Sequence, residues 1–340
     1  MTTREKVLQE LTNNKNSSVS GQQIADACGV SRAAIWKAIN SLRQEGWQIS
    51  GTTNGGYILN ENSDVFSKEL FCEYLDSNYK DLTGGYGKVR IECFKEIDST
   101  NTYAKRILTE DPSIKTAIIV SESQTAGRGR LGRTFYSPMN TGIYLTVIYS
   151  PEGGVSQPAR LTASSAVAVC RAVKKIYGVE CAIKWINDIF AHGKKVCGIL
   201  TEGFTNFETG LIESAIIGIG INIKDNPDCF PDDVKKIAGG INSDDEKSVL
   251  EGSRCSLAAE VAAQVLQIMK EDVAKVMAEY KALSFLIGTE LSVYPVAGGP
   301  DFYKAKAVDI DENAGLVVEL SDGTRKTLSS GEVTLKSSNF

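Results

Sequence analysis

Ser20-Gly-Gln-Gln-Ile-Ala-Asp-Ala-Cys-Gly-Val-Ser-Arg-Ala-Ala-Ile-Trp-Lys37 contains two helix starts separated by one tight turn. Ser20 with Gln23 three residues on spells a capping box, followed by Ile24, Ala27 and Cys28. Gly29 supplies the turn and Ser31 caps again. Ile35, Ile39 and Leu42 then recur at the spacing of a buried helical stripe, with Trp36 and Arg43 flanking it. Gly46 is placed to end this helix. Upstream, Val7, Leu8 and Leu11 mark a preceding helix. Downstream, Trp47-Gln-Ile-Ser50 and Gly56-Tyr-Ile-Leu59 flank a turn-rich Gly51-Thr-Thr-Asn-Gly-Gly56, which predicts a hairpin. Two helices about a glycine turn, then a hairpin, make a winged helix-turn-helix. As a recognition helix the third helix offers Ser31, Arg32, Ala33 and Lys37, suited to base edges and phosphates, with a wing tip over 52–55; the alternative, a winged helix used only for protein interaction or dimerisation, is opposed by the basic residues gathered on that helix.

Whole-chain arithmetic hides this unit. The 340 residues carry 37 Lys and Arg against 42 Asp and Glu, a net charge of −5, which taken alone argues against nucleic acid. Residues 1–60 nevertheless hold six basic side chains (Arg4, Lys6, Lys15, Arg32, Lys37, Arg43) and four acidic ones (Glu5, Glu10, Asp26, Glu45), so a unit of +2 precedes a remainder of −7. At 42% hydrophobic and 23% charged the chain can bury large cores, which excludes disordered and fibrous classes. The eight cysteines form no Cys-x-x-Cys pair, and several lie in apolar runs such as Val196-Cys-Gly-Ile-Leu200, the usage of a reducing compartment. Met1-Thr-Thr-Arg-Glu-Lys6 lacks the apolar core of a secretory signal, and no apolar run approaches a membrane span. A soluble cytoplasmic protein with no membrane partner is expected.

Val65, Leu70, Phe71, Tyr74 and Leu75 predict a helical connector over 61–82. Strands are predicted at 89–94, 116–122 and 141–149, then a long helix over 159–177. Further strands at 182–186, 196–202 and 215–223, joined by short turns, favour antiparallel pairing. Residues 225–252 read as a connector with a short helix, and 255–280 as one long amphipathic helix. Few helices and adjacent strands make this α+β. Beyond Gly288, strands at 290–293, 303–310, 315–319 and 325–328 with tight turns predict a small β-barrel. The expected organisation is multidomain α+β: the winged helix over 1–62, a helical linker over 63–82, a central domain with a mixed or antiparallel sheet over 83–284, and the barrel over 285–340.

Chemistry concentrates at Gly127-Arg-Gly-Arg-Leu-Gly-Arg133. Its glycines let backbone amides approach an anion, and its three arginines add fixed charge with a planar fork suited to phosphate or carboxylate. No Gly-Lys-Ser/Thr follows, so this is not a Walker loop. Gly127, Gly129 and Gly132 match dinucleotide spacing, but no strand–turn–helix with a ribose carboxylate follows them. Lys184-Trp-Ile-Asn-Asp188 sets a lysine in a strand among apolar neighbours, a costly position unless its head meets an anion or carboxylate. Asp188 is suited to hold Mg2+ or to pair with that lysine. Lys194-Lys-Val-Cys-Gly-Ile-Leu-Thr-Glu202 follows, and Gly218-Ile-Gly-Ile-Asn222 is a strand on which a flat ring can pack. The one histidine, His192, lies in a polar turn, so a catalytic triad has little support and a multi-histidine zinc site is excluded. The chemistry falls to Lys, Arg, Asp and backbone amides.

In this order the motifs resemble the bifunctional biotin–protein ligase and biotin operon repressor family. The matching residues are Ser31-Arg-Ala-Ala-Ile-Trp-Lys37, Asp98-Ser-Thr-Asn101, Gln124, the glycine–arginine loop, Lys184-Trp-Ile-Asn-Asp188, Lys195-Val-Cys-Gly-Ile-Leu-Thr-Glu202, Gly218-Ile-Gly-Ile-Asn222 and Ser330-Gly-Glu332. The resemblance implies an SH3-like C-terminal barrel and a central domain that joins biotin to ATP, carried with Mg2+, as biotinyl-5′-AMP. It implies transfer of biotin to a lysine of a carboxylase's biotin carboxyl carrier domain. Ser99, Thr100, Asn101, Gln124, Arg128 and Lys195 are then the biotin-binding set; Arg128, Arg130, Arg133, Phe135, Asn187 and Asn222 meet ATP or the adenylate. Lys195, Lys184, Asp188 and Arg128 form the implied reaction centre, with Asp188 orienting the incoming amine or Mg2+ and no protein cage for metal. Operator DNA on Ser31, Arg32, Ala33 and Lys37, biotinyl-5′-AMP as co-repressor and a homodimer of the adenylate-bound form are implied as well. Ile186 departs from the proline usual in the family, and Phe135 stands where some members carry tryptophan. A ligand-sensing regulator without ligase activity is the first alternative, opposed by the retained lysines, Asp188 and loop arginines. A lipoate or octanoate protein ligase is the second, opposed by the glycine–arginine loop together with a winged helix.

Overall fold

The computed structural model describes residues 2–14, 16–44, 47–52, 55–60, 66–83, 89–205, 210–225, 229–242, 254–294, 301–329 and 332–335. They fall into two units, residues 1–67 with 251–255, and residues 68–250 with 256–340. In the smaller, α1 (Thr3–Asn13), α2 (Gly21–Cys28) and α3 (Arg32–Gln44) enclose a core of Val7, Leu11, Ile24, Ile35, Ile39 and Leu42. Ser20 Oγ accepts from Gln23 N at 3.1 Å while Gln23 Oε1 accepts from Ser20 N at 2.9 Å, the capping box expected there. Gly29 turns at φ +68°, in the left-handed region, and the Ser31 hydroxyl accepts from Ala34 N at 3.3 Å. Thr2 and Glu5 form a further capping box, which opens α1. β1 (Ile49–Thr52) and β2 (Gly56–Leu59) pair antiparallel as the wing. Gly46, residues 53–54 of the wing tip, Val65, Ser330 and Gly331 lie outside the described residues.

The larger unit opens with α4 (Lys68–Thr83) and is built on a seven-stranded sheet of order β3-β4-β5-β9-β8-β7-β6. These strands are β3 (Arg90–Phe94), β4 (Thr116–Ser121), β5 (Gly142–Tyr149), β6 (Ala182–Lys184), β7 (Asp188–Ala191), β8 (Lys194–Thr205) and β9 (Ile212–Asn222). β3 and β4 run parallel, with α5 (Thr100–Glu110) between them in the chain; the other pairings are antiparallel, which the short turns dictate for β6–β7 and β7–β8. Residues opposite one another in the ladder share a face. The row Ile119, Thr146, Gly218, Leu200 faces α5, whose Ala104, Ile107 and Leu108 pack with Ala117, Ile119, Ile148 and Ile216. The row Ile118, Val147, Ile217, Thr201 faces the other way, toward α6 (Pro158–Tyr177), where Thr162 Oγ1 donates to Thr201 Oγ1 at 2.8 Å.

Two expectations of secondary structure need correcting. The strand expected over 182–186 ends at Lys184, residues 185–187 turn, and β7 follows in place of the expected turn; the Trp185–Ile186 peptide is cis. His192 does occupy a turn, between β7 and β8. The helix expected over 255–280 is two, α8 (Arg254–Ile268) and α9 (Val273–Leu283), because the Asp272 side chain accepts from Lys275 N at 3.0 Å and starts a second helix. The short helix expected in 225–252 is α7 (Asp232–Lys235). Finally, the segment read as a connector is held into this unit. Tyr74 and Tyr79 of α4 donate their hydroxyls to the fully buried Glu260 of α8, which also accepts from Lys175 Nζ of α6 at 2.9 Å and Gln264 Nε2 at 2.9 Å. Burial alone would raise the Glu260 carboxyl, but these donors outweigh it and hold it below the ordinary carboxylate value.

The C-terminal part is a five-stranded antiparallel sheet of order β13-β12-β11-β10-β14, made of β10 (Glu290–Tyr294), β11 (Tyr303–Ile310), β12 (Leu316–Glu319), β13 (Arg325–Leu328) and β14 (Glu332–Leu335). β14 is one strand more than expected. Leu291, Val293, Ala307, Leu316, Val318 and Val333 form its buried face. Trp185 Nε1 donates to the Ala314 carbonyl at 2.7 Å, tying this sheet to the turn between β6 and β7. The eight cysteines are all free thiols. Among the described residues no helix is long and apolar enough to cross a membrane.

Candidate active site

One end of the α5 face of the sheet is paved with glycine. Gly198 lies opposite Gly220, and Gly218 opposite Thr146. A Cβ at Gly220 would come 2.3 Å from the Phe135 ring, and one at Gly218 would come 2.2 Å from Asn101 Oδ1. The flat ring that packs on this strand is therefore supplied by the chain itself. Above this floor lies a cavity of about 560 Å3, the size of a small-molecule site. Its lining includes Ser99, Thr100, Asn101, Gln124, Arg128, Arg130, Arg133, Phe135, Lys184, Asn187, Asp188, Lys195 and Asn222. The fold thus gathers every ligand and catalytic candidate of the central domain.

The glycine–arginine loop is a tight hairpin at the edge of this cavity. Gly129 N donates to Arg133 O at 2.7 Å and Phe135 N to Gly127 O at 3.0 Å. A Cβ at Gly127 would strike Phe135 O at 2.2 Å, so the hairpin closes on glycine alone. Leu131 and Gly132 turn in the left-handed region at φ +59° and +73°. Arg130 Nη1 donates to Asn187 Oδ1 at 2.7 Å, and Asn187 Nδ2 donates to Ile199 O at 3.0 Å, which fixes the loop to the turn before β7. Lys195 Nζ meets Asp188 Oδ1 at 2.6 Å, joining β8 to β7. Lys184, the register partner of Asp188, lines the same wall. Tyr280 braces this wall from behind, its hydroxyl donating to Ile186 O at 3.0 Å.

The opposite end is polar and largely neutral. Gln124 Oε1 accepts from Thr100 N at 2.9 Å, and its amide donates to Ser137 Oγ at 2.9 Å. Thr146 Oγ1 sits 2.8 Å from Thr100 Oγ1 and 2.7 Å from Asn101 Oδ1. Asn101 Nδ2 donates to Glu202 Oε2 at 2.9 Å, while Glu202 Oε1 pairs with Lys105 Nζ at 2.8 Å and with Arg128 Nη2 at 3.4 Å. Burial would raise the Glu202 carboxyl, yet Lys105, Asn101 and Arg128 hold it below its ordinary value. Glu202 closes the Lys195 motif in sequence, but nothing in that motif says that it faces Arg128.

The cavity therefore joins a cationic wall to a hydrogen-bonding end, an arrangement that fits an anion carrying a neutral polar head. Among the described residues no group of three or more His, Cys, Asp or Glu forms a metal cage. Asp188, a carboxylate on the cationic wall beside Lys195, is the kind of ligand that suits Mg2+ carried largely by substrate phosphates.

Over 329 residues the chain is 30% identical to the bifunctional ligase/repressor BirA of Bacillus subtilis, an alignment spanning 96% of this chain and 97% of that protein. The chain belongs to the bifunctional biotin ligase/repressor family. Family models divide along the fold of this ligase/repressor: an HTH domain at residues 3–58, the biotin/lipoate A/B protein ligase family at 93–222 and the biotin protein ligase C terminal domain at 296–336. BirA of Escherichia coli K12 is 31% identical over 205 residues, 60% of this chain and 59% of that protein. The biotin--[acetyl-CoA-carboxylase] ligase of Mycobacterium tuberculosis is 28% identical over 257 residues, 74% and 91%. The solved biotin protein ligase from Aquifex aeolicus in complex with biotin and ATP shares the fold, with a TM-score of 0.56 at 24% identity over 73% of this chain and 99% of that one.

The ligase/repressor cavity also has a wall that sequence motifs did not reveal. Tyr136, Phe230, Val234, Ile237 and, from β14, Val333 line it, with Tyr136 edge-on to Phe230 at 6.4 Å. Phe230, Val234 and Ile237 do recur at i, i+4 and i+7, a helical signal inside a segment read as a connector. In the smaller unit Ser31, just before α3, and Arg32, Ala33 and Lys37 on it are all exposed, whereas Arg43 Nε donates to Ile49 O at 2.8 Å and ties α3 to the wing.

Proposed function

We propose that the cavity activates biotin with ATP as biotinyl-5′-AMP and passes biotin to a lysine of a biotin carboxyl carrier domain. The convergence of Arg128, Arg130, Arg133, Lys184 and Lys195 on one cavity whose other end carries Ser99, Thr100, Asn101 and Gln124 supports this reading above all. The cations suit a triphosphate and a carboxylate, and the neutral end suits a ureido ring that both donates and accepts. In the first step a biotin carboxylate oxygen attacks the α-phosphorus; an O–P bond forms as the bond to pyrophosphate breaks. Lys195, held by Asp188, and Arg128 offset the charge that develops between the two anions, while Arg130 and Arg133 hold phosphate. Phe135, Asn187 and Asn222 meet the nucleotide. In the second step the carrier lysine, as its neutral amine, attacks the acyl carbon; a C–N bond forms, AMP departs and the amine proton is released. Lys184 and Asp188 complete the centre, Asp188 orienting the amine. Asp188 would hold Mg2+ together with substrate phosphate, and the ion would supply charge neutralisation there.

The winged helix binds operator DNA through Ser31, Arg32, Ala33 and Lys37, with biotinyl-5′-AMP as co-repressor. The loaded form is a homodimer, since paired winged helices read two half-sites. The protein acts in the cytoplasm, where its carrier substrate, ATP and DNA meet. Pyrophosphate release from ATP in the presence of biotin, lipoate or octanoate tests the enzymatic reading. Release with biotin alone supports it; release with lipoate instead moves the specificity, and no release with any acid overturns it. A gel shift on upstream DNA with and without biotin plus ATP tests repression, and unchanged binding removes the co-repressor.

A further inference from the structure

Two of the three tryptophans, Trp47 and Trp185, are 4% and 5% exposed, whereas Trp36 on α3 is 59% exposed. Ile35, Ala38, Ile39 and Leu42 form the buried stripe of α3 and fill its contact with the core. Ala33, Trp36, Lys37 and Asn40 recur at i, i+3, i+4 and i+7 on the other side, with Arg32 one turn ahead of Trp36. The sequence places Trp36 at the flank of the core stripe; the structure turns it outward. Among the described residues its indole makes no hydrogen bond and no ring contact.

An aromatic ring displayed between two cations, Arg32 and Lys37, calls for a polyanion that also carries apolar groups. The major groove of DNA has such groups in one place, the C5-methyl of thymine. Trp36 is the fifth residue of a helix whose first residues face base edges in this motif, so it sits within reach of the groove floor. We infer that Trp36 is a base-reading residue that packs its ring against thymine methyl groups, making the recognition helix selective for thymine at the positions it covers. This rests on the reading of the smaller unit as a DNA reader.

The test uses the full-length protein with biotin and ATP. A duplex enriched by it from random-sequence DNA is remade with deoxyuridine replacing thymidine one position at a time, which removes only the methyl group. The wild-type protein is expected to lose affinity about 4-fold at each thymine that Trp36 touches, the equivalent of about 0.8 kcal/mol for one buried carbon. Trp36→Ala is expected to bind the thymidine and deoxyuridine duplexes equally at those positions, at the affinity of the wild type for the deoxyuridine duplex. Trp36→Leu, which keeps an apolar contact, retains part of the preference and serves if the alanine variant unfolds. Full thymine preference in Trp36→Ala, or wild-type affinity for the thymidine duplex, overturns the inference. A loss of self-association with unchanged thymine preference also overturns it and makes Trp36 a protein contact. If the wild type enriches no sequence, the DNA reading itself fails and takes this inference with it.

Discussion

Substituting alanine at Gly220 adds one carbon where the floor of the cavity has no room. That Cβ would lie 2.3 Å from Phe135 Cε1 and 2.5 Å from Cζ, about 1 Å or more inside the normal carbon–carbon separation of about 3.5–4.0 Å. The strand cannot retreat, because Gly220 is paired with Tyr144 on one side and Gly198 on the other. Phe135 is held at its backbone by Gly127 O, so its ring must swing away. Overpacking of this kind costs about 1–3 kcal/mol. At about 2–4 °C per kcal/mol for a unit of this size, Gly220→Ala should lower the unfolding midpoint by roughly 2–12 °C. The displaced ring occupies nucleotide space, so KM for ATP should rise, by about 10-fold for each 1.4 kcal/mol that moving the ring aside costs. KM for biotin should stay within about 2-fold, since the Gln124–Thr100 end is untouched. Removing the ring removes the clash: Gly220→Ala combined with Phe135→Ala should be no less stable than Phe135→Ala alone. A wild-type midpoint and ATP KM in Gly220→Ala, or additive losses in the double variant, would refute the packing argument.

Lys195→Ala should cut biotin-dependent pyrophosphate release about 10²- to 10³-fold, as loss of a preorganised charge does, with little change in the unfolding midpoint because its ion pair is partly exposed. Glu202→Gln should weaken biotin binding about 10-fold in calorimetry, since Arg128 and Asn101 lose a charged partner; a Kd within 2-fold of wild type would show that Glu202 positions neither. Glu260 has a folded pKa below its ordinary value of 4.5, so its stabilisation is complete above that value and is lost as pH falls through the lower folded one. Urea midpoints measured downward from about pH 4.5 should accordingly fall less steeply in Glu260→Gln than in wild type, and equal slopes would refute the four-donor account. Arg128→Ala should speed loss of bound adenylate, followed by filter binding after dilution, and an unchanged rate would remove the loop from ligand retention.

The parts legible in the sequence are those whose signal is local. Ser20–Gln23, Gly29 and Ser31 declare helix ends through their own hydrogen bonds, so the winged helix could be read within a few residues. Gly127, Gly218 and Gly220 were conspicuous, but the reason for each is a partner distant in sequence or space: Phe135 O, Asn101 and the Phe135 ring. α5 has no local apolar signal at its start, which is written in polar residues, Ser99 to Asn101, that serve the cavity as well as the cap. The 255–280 segment looked continuous because apolar periodicity runs through it, and only Asp272 betrays the break. Glu202 and the Phe230–Ile237 wall were hidden for a related reason, since which charge meets Arg128 and which apolar residues face a ligand are decided by tertiary placement.

Adenylate synthesis is read directly by incubating the protein with ATP and labelled biotin in the absence of any acceptor, desalting it rapidly and identifying the retained molecule. Close to one biotinyl-5′-AMP per chain is expected, with one pyrophosphate released for each, and almost none with Lys195→Ala. Biotin retained unchanged with ATP unconsumed would contradict it.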